Sequence, residues 1–489
     1  MFTWKEARPE DFGIPAEAVG QLEGQLKEMR LRIHGFMLIK GENILAERYY
    51  EPFGRDKLHR MYSITKSFTA LAVGLLVKNG LVKPEDRICD YFPEKLPEGG
   101  AHPWCREMTI RDMLTMRTCH SSTTYKRHGG KDWTESFFHV APDHVPGTVF
   151  SYDTSSSQVL AALVEKLTGK KMLDYMRSQI LDQLGFSKEA YILPDPVGVS
   201  QGGSGLVCTL RDVAAVAHLC CRMGSIQGRE YLPADYMQEA TGGQVPTDLQ
   251  PVLDEQCGYG YFIWKPREEG FTFFGMGGQL AVCFPQYDFC YITMADTIGN
   301  PAGVQALHNC FYRTVFPCLK ASSPSGTHGA KAYGSTCEGI CEEKREQGFL
   351  SMEKGLREST QAVPYAFYPN ALEWEEVCFD WEQKEMSLAL SGNRYTIAFG
   401  TEEWVRQPLL DTEYFCECRG QWKMGHFILE CYVLYEDMGN IRMDFAWKDH
   451  RMSVRSVCAG EVFPPEMKSH YQGFASAERN GGQSANQAG

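Results

Sequence analysis

Two kinds of apolar pattern alternate along the chain. Residues 14–31 (IPAEAVGQLEGQLKEMRL) place apolar positions at helical spacing, which predicts a helix. The next stretch, HGFMLIKGENILAERYYEP, has two apolar runs either side of Gly41, Glu42 and Asn43, and predicts a β-hairpin. A second helix is predicted from near Ser63 through Val77, with a stop at Asn79 and Gly80. From about 81 to 230 the signals are mainly helical. MTIRDMLTMRT, SSSQVLAALVEKLTG, MLDYMRSQILDQLG and TLRDVAAVAHLCCRMG each carry an apolar face. From 257 the pattern changes: YGYFIWKP, FTFFGMGGQLAVCFP and DFCYITMAD read as strands, and 303–318 returns to helix. Strands at both ends with helices between them predict one α/β unit over 1–318, its helical middle inserted between the first strands and the last.

Residues 319–350 are rich in Gly, Ser and charge and read as a linker. Beyond it, VCFDWEQKEMSLALSGNRYTIAFG, FILECYVLYEDMG, IRMDFAWKD and RMSVRSVCAG alternate and are rich in aromatics. They predict a separate antiparallel β domain over 351–475, with Trp374, Trp381, Trp404, Trp422 and Trp447 as core. The low-complexity end, 476–489, reads as a disordered tail.

Apolar residues make up 43% of the 489-residue chain and charged residues 23%, an ordinary globular mix that excludes collagen, coiled coil and wholesale disorder. The net charge of -13 argues against a nucleic-acid partner. The first residues, MFTWKEARPEDFGIP, lack the apolar core of a signal peptide. The longest clean apolar run, Ala70 to Val77, is far short of the roughly 20 residues of a membrane helix. The expectation is a cytoplasmic protein with no membrane partner, whose 18 cysteines are thiols. The close pairs Cys337/Cys341 and Cys416/Cys418 lack a matching second pair, so no metal is expected.

GxSxG, HExxH and GxxxxGK[ST] are absent, and Gly275-Met276-Gly277-Gly278 is not a nucleotide loop. One candidate remains: Ser63-Ile64-Thr65-Lys66, where the chain enters a helix. Residues i and i+3 share a helix face, so the Lys66 amine reaches the Ser63 hydroxyl. The first helical turn offers unpaired N–H groups and a positive dipole end to a developing anion. A partly desolvated lysine loses its proton and activates the hydroxyl. A chain of this length holds about one Ser-x-x-Lys by chance, and Ser351-Met352-Glu353-Lys354 is a second copy. His120, His128 and His144 could serve a Ser-His-Asp triad, but no spacing supports it. Cys119, Cys220 and Cys221 would be nucleophiles only if exposed beside a cation.

The segment RMYSITKSFTALAVGLLVKNGLV resembles the nucleophile helix of the serine β-lactamase and penicillin-binding-protein superfamily, in particular its class C and family VIII esterase branch. The resemblance continues in order through MTIRDMLTMRTCH, Pro146-Gly147 with Phe150-Ser151-Tyr152, Gly202 to Leu206 with Thr209 to Asp212, and GYGYFIW with FFGMGGQLAVCFPQYDF. It covers about 1–318. It implies the fold of that superfamily, an antiparallel sheet flanked by helices with an inserted helical subdomain. It also implies a role for each matching residue. Ser63 is the acylated nucleophile, Lys66 its general base, and Tyr152 the group that shuttles a proton to the leaving group. The backbone N–H groups of Ser63 and Met276 form the oxyanion hole. Thr154, Phe273, Phe274 and Gly275 contact substrate. Two positions depart from the family pattern. Thr154 stands where the family has Asn, and Phe273-Phe274-Gly275 stands where it has Lys-Thr-Gly or His-x-Gly. Without that cation the expected substrate is a small neutral ester or amide rather than a penicillin, with no cofactor. A D-amino-acid or N-acyl amidase and a decayed ligand-binding protein are the alternatives.

Overall fold

The computed structural model describes residues 2–322, 335–410, 412, 414–434, 439–460 and 465–480. Its first unit is built on a six-stranded sheet. In chain order its elements are β1 (Lys5–Glu6), α1 (Ala16–Glu28), β2 (Ile33–Lys40), β3 (Asn43–Tyr49), α2 (Ile64–Lys78), α3 (Thr154–Thr168), α4 (Met172–Gln179), α5 (Leu210–Cys221), β4 (Phe271–Gly275), β5 (Gln279–Phe284), β6 (Phe289–Ala295) and α6 (Gly303–Thr314). The spatial order is β1-β3-β2-β6-β5-β4, so the first hairpin pairs through β2 with the last strand, as expected for an inserted helical middle.

Both faces of the sheet are covered, which is why β2, β5 and β6 read as continuous apolar runs. Phe36, Leu38, Leu280, Val282 and Tyr291 face α1 and α6. Met37, Ile39, Ala281, Cys283 and Ile292 face α2 and α5. Helix α2 is apolar all round and buried from Ile64 through Leu76, because it runs between the sheet and the helical insertion. It begins and ends where the sequence predicts, with Gly80 in the left-handed region (φ 68°).

Two elements differ from expectation. YGYFIWKP is not a strand. The chain at 257–266 folds on itself through isolated bridges at Tyr259 and Trp264. Its aromatics mimic a strand, but Gly260 sits where a Cβ would lie 2.2 Å from the Ala240 carbonyl oxygen, too close for any other residue. MTIRDMLTMRT supplies only a short helix, Ile110–Leu114, opened by a Thr109–Asp112 capping box.

The C-terminal unit is all-β and nearly closes into a barrel. Much of the expected linker is helix α7 (Ser335–Thr360). Ten strands follow: β7 (Pro364–Phe367), β8 (Trp374–Asp380), β9 (Glu385–Leu390), β10 (Asn393–Ala398), β11 (Val405–Pro408), β12 (Phe415–Lys423), β13 (His426–Leu434), β14 (Gly439–Lys448), β15 (Arg451–Gly460) and β16 (Gly473–Arg479). Their order is β10-β9-β8-β7-β16-β15-β14-β13-β12-β11. Gln407 links the two edge strands through both its amide atoms and the Ala398 backbone (3.0 and 2.6 Å). Strand β16 runs to Arg479, so 476–479 belong to the sheet and not to a tail, because Ser476 and Ala477 pair with Ser453 and Met452. Residues 481–489 of the expected tail, and the side chains of Cys337 and Cys341, lie outside the described residues.

The barrel docks on the first unit through named contacts. Arg451 clamps the Glu107 carboxylate with both guanidinium Nη atoms (3.0 and 2.5 Å). Lys448 donates to the Pro146 carbonyl (3.0 Å), Arg455 to the Phe150 carbonyl (3.1 Å), and Val145 N–H to Ser476 Oγ (3.1 Å). Lys423 bonds Asp248 (2.8 Å) and Arg442 the Asp248 carbonyl (2.8 Å).

Candidate functional site

Ser63 occupies the N-cap of α2 and is partly exposed, while Lys66 is 1% exposed. Lys66 Nζ lies 3.0 Å from Ser63 Oγ and donates to the Gly203 carbonyl at 2.8 Å. The helix positions both, one turn apart, and its complete burial carries the amine out of water. Burial pulls the Lys66 amine down to about 7, partly offset by the negative charge of Asp153; the cation Lys126 lowers it further. The residue before Ser63, Tyr62, has φ 47°, a conformation costing about 1 kcal/mol or more that concentrates at active sites. Its carbonyl is held by Thr65 Oγ1 (2.6 Å), which also accepts from Leu206 N–H (3.0 Å).

Tyr152 reaches the same point from the insertion. Lys66 Nζ, which bonds Ser63, sits 4.9 Å from its ring centre. Burial pushes the phenol well above its usual range, the Ser63 hydroxyl opposes that, and the Glu255 charge adds to it. The three groups named from sequence therefore converge. The loop before Tyr152 is fixed from two sides. Ser151 N–H donates to the Met116 carbonyl (2.9 Å) and Gly147 N–H to the Arg117 carbonyl (2.7 Å), while Lys448 and Arg455 of the barrel hold Pro146 and Phe150.

Strand β4 closes the third side. A Cβ on Gly275 would lie 2.3 Å from the Met61 carbonyl oxygen, so the strand end is pressed against the chain two residues before Ser63. Met276 follows in an exposed turn, with Gly277 and Gly278 at φ 87° and 93°. Of the two phenylalanines expected at the substrate site, Phe273 is sealed in the core and is corrected to a packing residue, since alternation along β4 turns it inward. Phe274 is partly exposed and lies 6.3 Å from Trp264. Thr154 is partly exposed at the start of α3 and its methyl packs against Gly203, the residue that anchors Lys66.

Sequence reasoning missed three neighbours. Trp264 stacks on Tyr152 (5.7 Å, 23°) and Tyr259 meets it edge-on (6.4 Å, 83°). Glu255, pushed up to about 7 by burial and by Asp254, acts on both tyrosines. Trp264 and Tyr259 come from the segment read as a strand, whose aromatics were the available signal, and Glu255 from the turn just before it.

The competing nucleophile sites fall away. His128 is exposed, His120 Nε2 pairs with the Phe137 carbonyl (2.9 Å), and buried His144 stacks on Phe474 (4.8 Å). Cys220 and Cys221 are buried under the sheet, where desolvation raises the Cys220 thiol. Ser351 and Lys354, the second Ser-x-x-Lys, lie exposed on α7, with Lys354 beside Glu358 (4.0 Å).

A family model, Beta-lactamase, matches residues 27–314, more than half of the chain. A 6-aminohexanoate-dimer hydrolase of Paenarthrobacter ureafaciens is 23% identical over 257 residues, covering 48% of this chain and 65% of that protein. The chain thus spans about two thirds of the length of that relative, just under it at 65%. A protein of Alkalihalophilus pseudofirmus is 20% identical over 58% of this chain and 90% of its own. A solved structure from Bacillus anthracis, assigned to the 6-aminohexanoate-dimer hydrolases, superposes with TM-score 0.50 at 18% identity, covering 66% of this chain and 87% of its own. With a buried lysine 3.0 Å from the serine oxygen of its Ser-x-x-Lys and a strand end pressed against the turn before that serine, the matched region has the architecture of serine hydrolases, and the chain belongs to the beta-lactamase family.

Proposed function

We propose that the protein hydrolyses small neutral esters or amides through an acyl-enzyme on Ser63. The observation that carries this reading is the Lys66 amine, buried, 3.0 Å from the serine oxygen and poised near neutrality. Ser63 Oγ attacks the carbonyl carbon while its proton passes to Lys66 Nζ. The backbone N–H groups of Ser63 and Met276 receive the oxyanion. Tyr152, kept as a neutral phenol by burial, gives its proton to the leaving alcohol or amine and takes one back from the Lys66 ammonium, whose Nζ lies 4.9 Å from its ring centre. Water then attacks the acyl carbon by the reverse relay. Phe274 and Trp264 favour an apolar acyl or leaving group over a carboxylate-bearing lactam.

Within that reading, a linear amide as the preferred substrate is favoured by the name of the Paenarthrobacter relative. One experiment tests the reading and ranks ester against amide: hydrolysis of p-nitrophenyl butyrate, of a matched anilide and of nitrocefin, with Ser63→Ala as control. Ester or anilide turnover lost in Ser63→Ala supports the proposal, and anilide cleaved faster than ester assigns the amide. Turnover retained in that variant, or nitrocefin cleaved faster than the ester, contradicts it.

A further inference from the structure

Outside the site just described, three soft donors meet in the core. Cys105 comes from the short helix Pro103–Glu107, and Cys119 and His120 from the segment that buttresses the Tyr152 loop. All three are fully buried and their donor atoms lie within 4.8 Å of one another. Cys105 Sγ is 3.5 Å from Cys119 Sγ, which is 3.7 Å from His120 Nε2. Zinc binds sulfur at about 2.3 Å and imidazole nitrogen at about 2.0 Å, so tetrahedral geometry sets neighbouring ligand atoms roughly 3.5 to 3.8 Å apart. Both spacings fall in that range before any movement. The Phe137 carbonyl oxygen, 2.9 Å from His120 Nε2, now accepts that nitrogen's proton; the metal would displace the proton and leave the oxygen as a fourth donor in reach.

From this geometry we propose that Cys105, Cys119 and His120 bind one zinc ion as a structural clamp. Charge selects the ion: two thiolates and a neutral imidazole cancel a divalent cation, and a neutral site is what a fully buried position tolerates. One buried atom of the set is without a partner, His120 Nδ1, and metal-bound histidines turn their second nitrogen to a carboxylate, carbonyl or water. The ion would tie the Pro103–Glu107 helix to the segment whose Met116 and Cys119 carbonyls hold Ser151, Asp143 and His144. The sequence search for close cysteine pairs misses this set because fourteen positions separate its two thiols.

The test is elemental analysis of the full chain expressed with added zinc, beside cobalt(II) substitution of chelator-treated protein. The expected result is about one zinc per chain and a thiolate-to-cobalt charge-transfer band, both lost in Cys105→Ser and in His120→Asn. Should a variant fail to fold, the wild-type cobalt spectrum decides alone. Wild-type protein with no zinc and no such band, or with a mass two daltons low from a Cys105–Cys119 disulfide, overturns the proposal.

Discussion

In the proposed mechanism Lys66 is the residue on which the chemistry turns, and its environment makes two measurable demands. A neutral amine is the base, and burial holds its pKa at about 7, so kcat/KM should climb with unit slope up to about pH 7 and level off above. Glu255 titrates in the same region, so Glu255→Gln is the control: the ascending limb stays if Lys66 produces it and vanishes if Glu255 does. The second demand concerns stability. The folded state holds Lys66 below the ordinary lysine value of 10.5, so it binds fewer protons there than the unfolded chain. Stability therefore rises with pH between about 7 and 10.5, and the buried amine costs roughly 4 to 5 kcal/mol at and below neutrality. Lys66→Met should melt several degrees higher by calorimetry while losing about 10²–10⁴-fold in kcat/KM. A melting point below wild type would show that the lysine is not held at that cost.

At the level of elements, the nucleophile helix was legible because its information is local: an apolar run, a glycine stop and two functional residues within one turn. The sheet was legible for the same reason, since strands buried on both faces leave unbroken apolar runs. What was illegible is assembled across the chain. Trp264 and Glu255 reach Tyr152 over more than a hundred residues, and the 257–266 segment passed for a strand because aromatics are common in strands. Tyr152 was found only through its resemblance to a family motif, and Phe273 was placed at the substrate because the same motif says nothing of which way the side chain points. The close approach of Gly275 to the Met61 carbonyl gives a prediction at this scale. Gly275→Ala forces backbone to yield by about an ångström and should lower kcat by around 10²-fold with the fold retained by circular dichroism. Near wild-type kcat would mean that the strand end does not set the site.

For the whole molecule, the barrel is not a spectator. Arg455, Lys448 and Ser476 bond Phe150, Pro146 and Val145 in the loop before Tyr152, so in the proposed mechanism the β unit would help aim the proton donor without touching substrate. Arg455→Met should lower kcat about tenfold and change KM little, since it releases the Phe150 carbonyl and leaves the cleft walls in place. Ser351→Ala, on exposed α7, should leave both constants unchanged. A rise in KM with kcat intact in Arg455→Met would instead place the barrel at the substrate. Among the described residues no helix is long and apolar enough to cross a membrane.

The most direct measurement is peptide mapping after labelling with a fluorophosphonate, on wild type and on Tyr152→Phe and Lys66→Met. The account predicts one adduct, on the peptide that begins at Met61, on Ser63, formed at least a hundredfold more slowly without Lys66 and retained without Tyr152. An adduct on any other serine, or labelling indifferent to the loss of the amine, would contradict it.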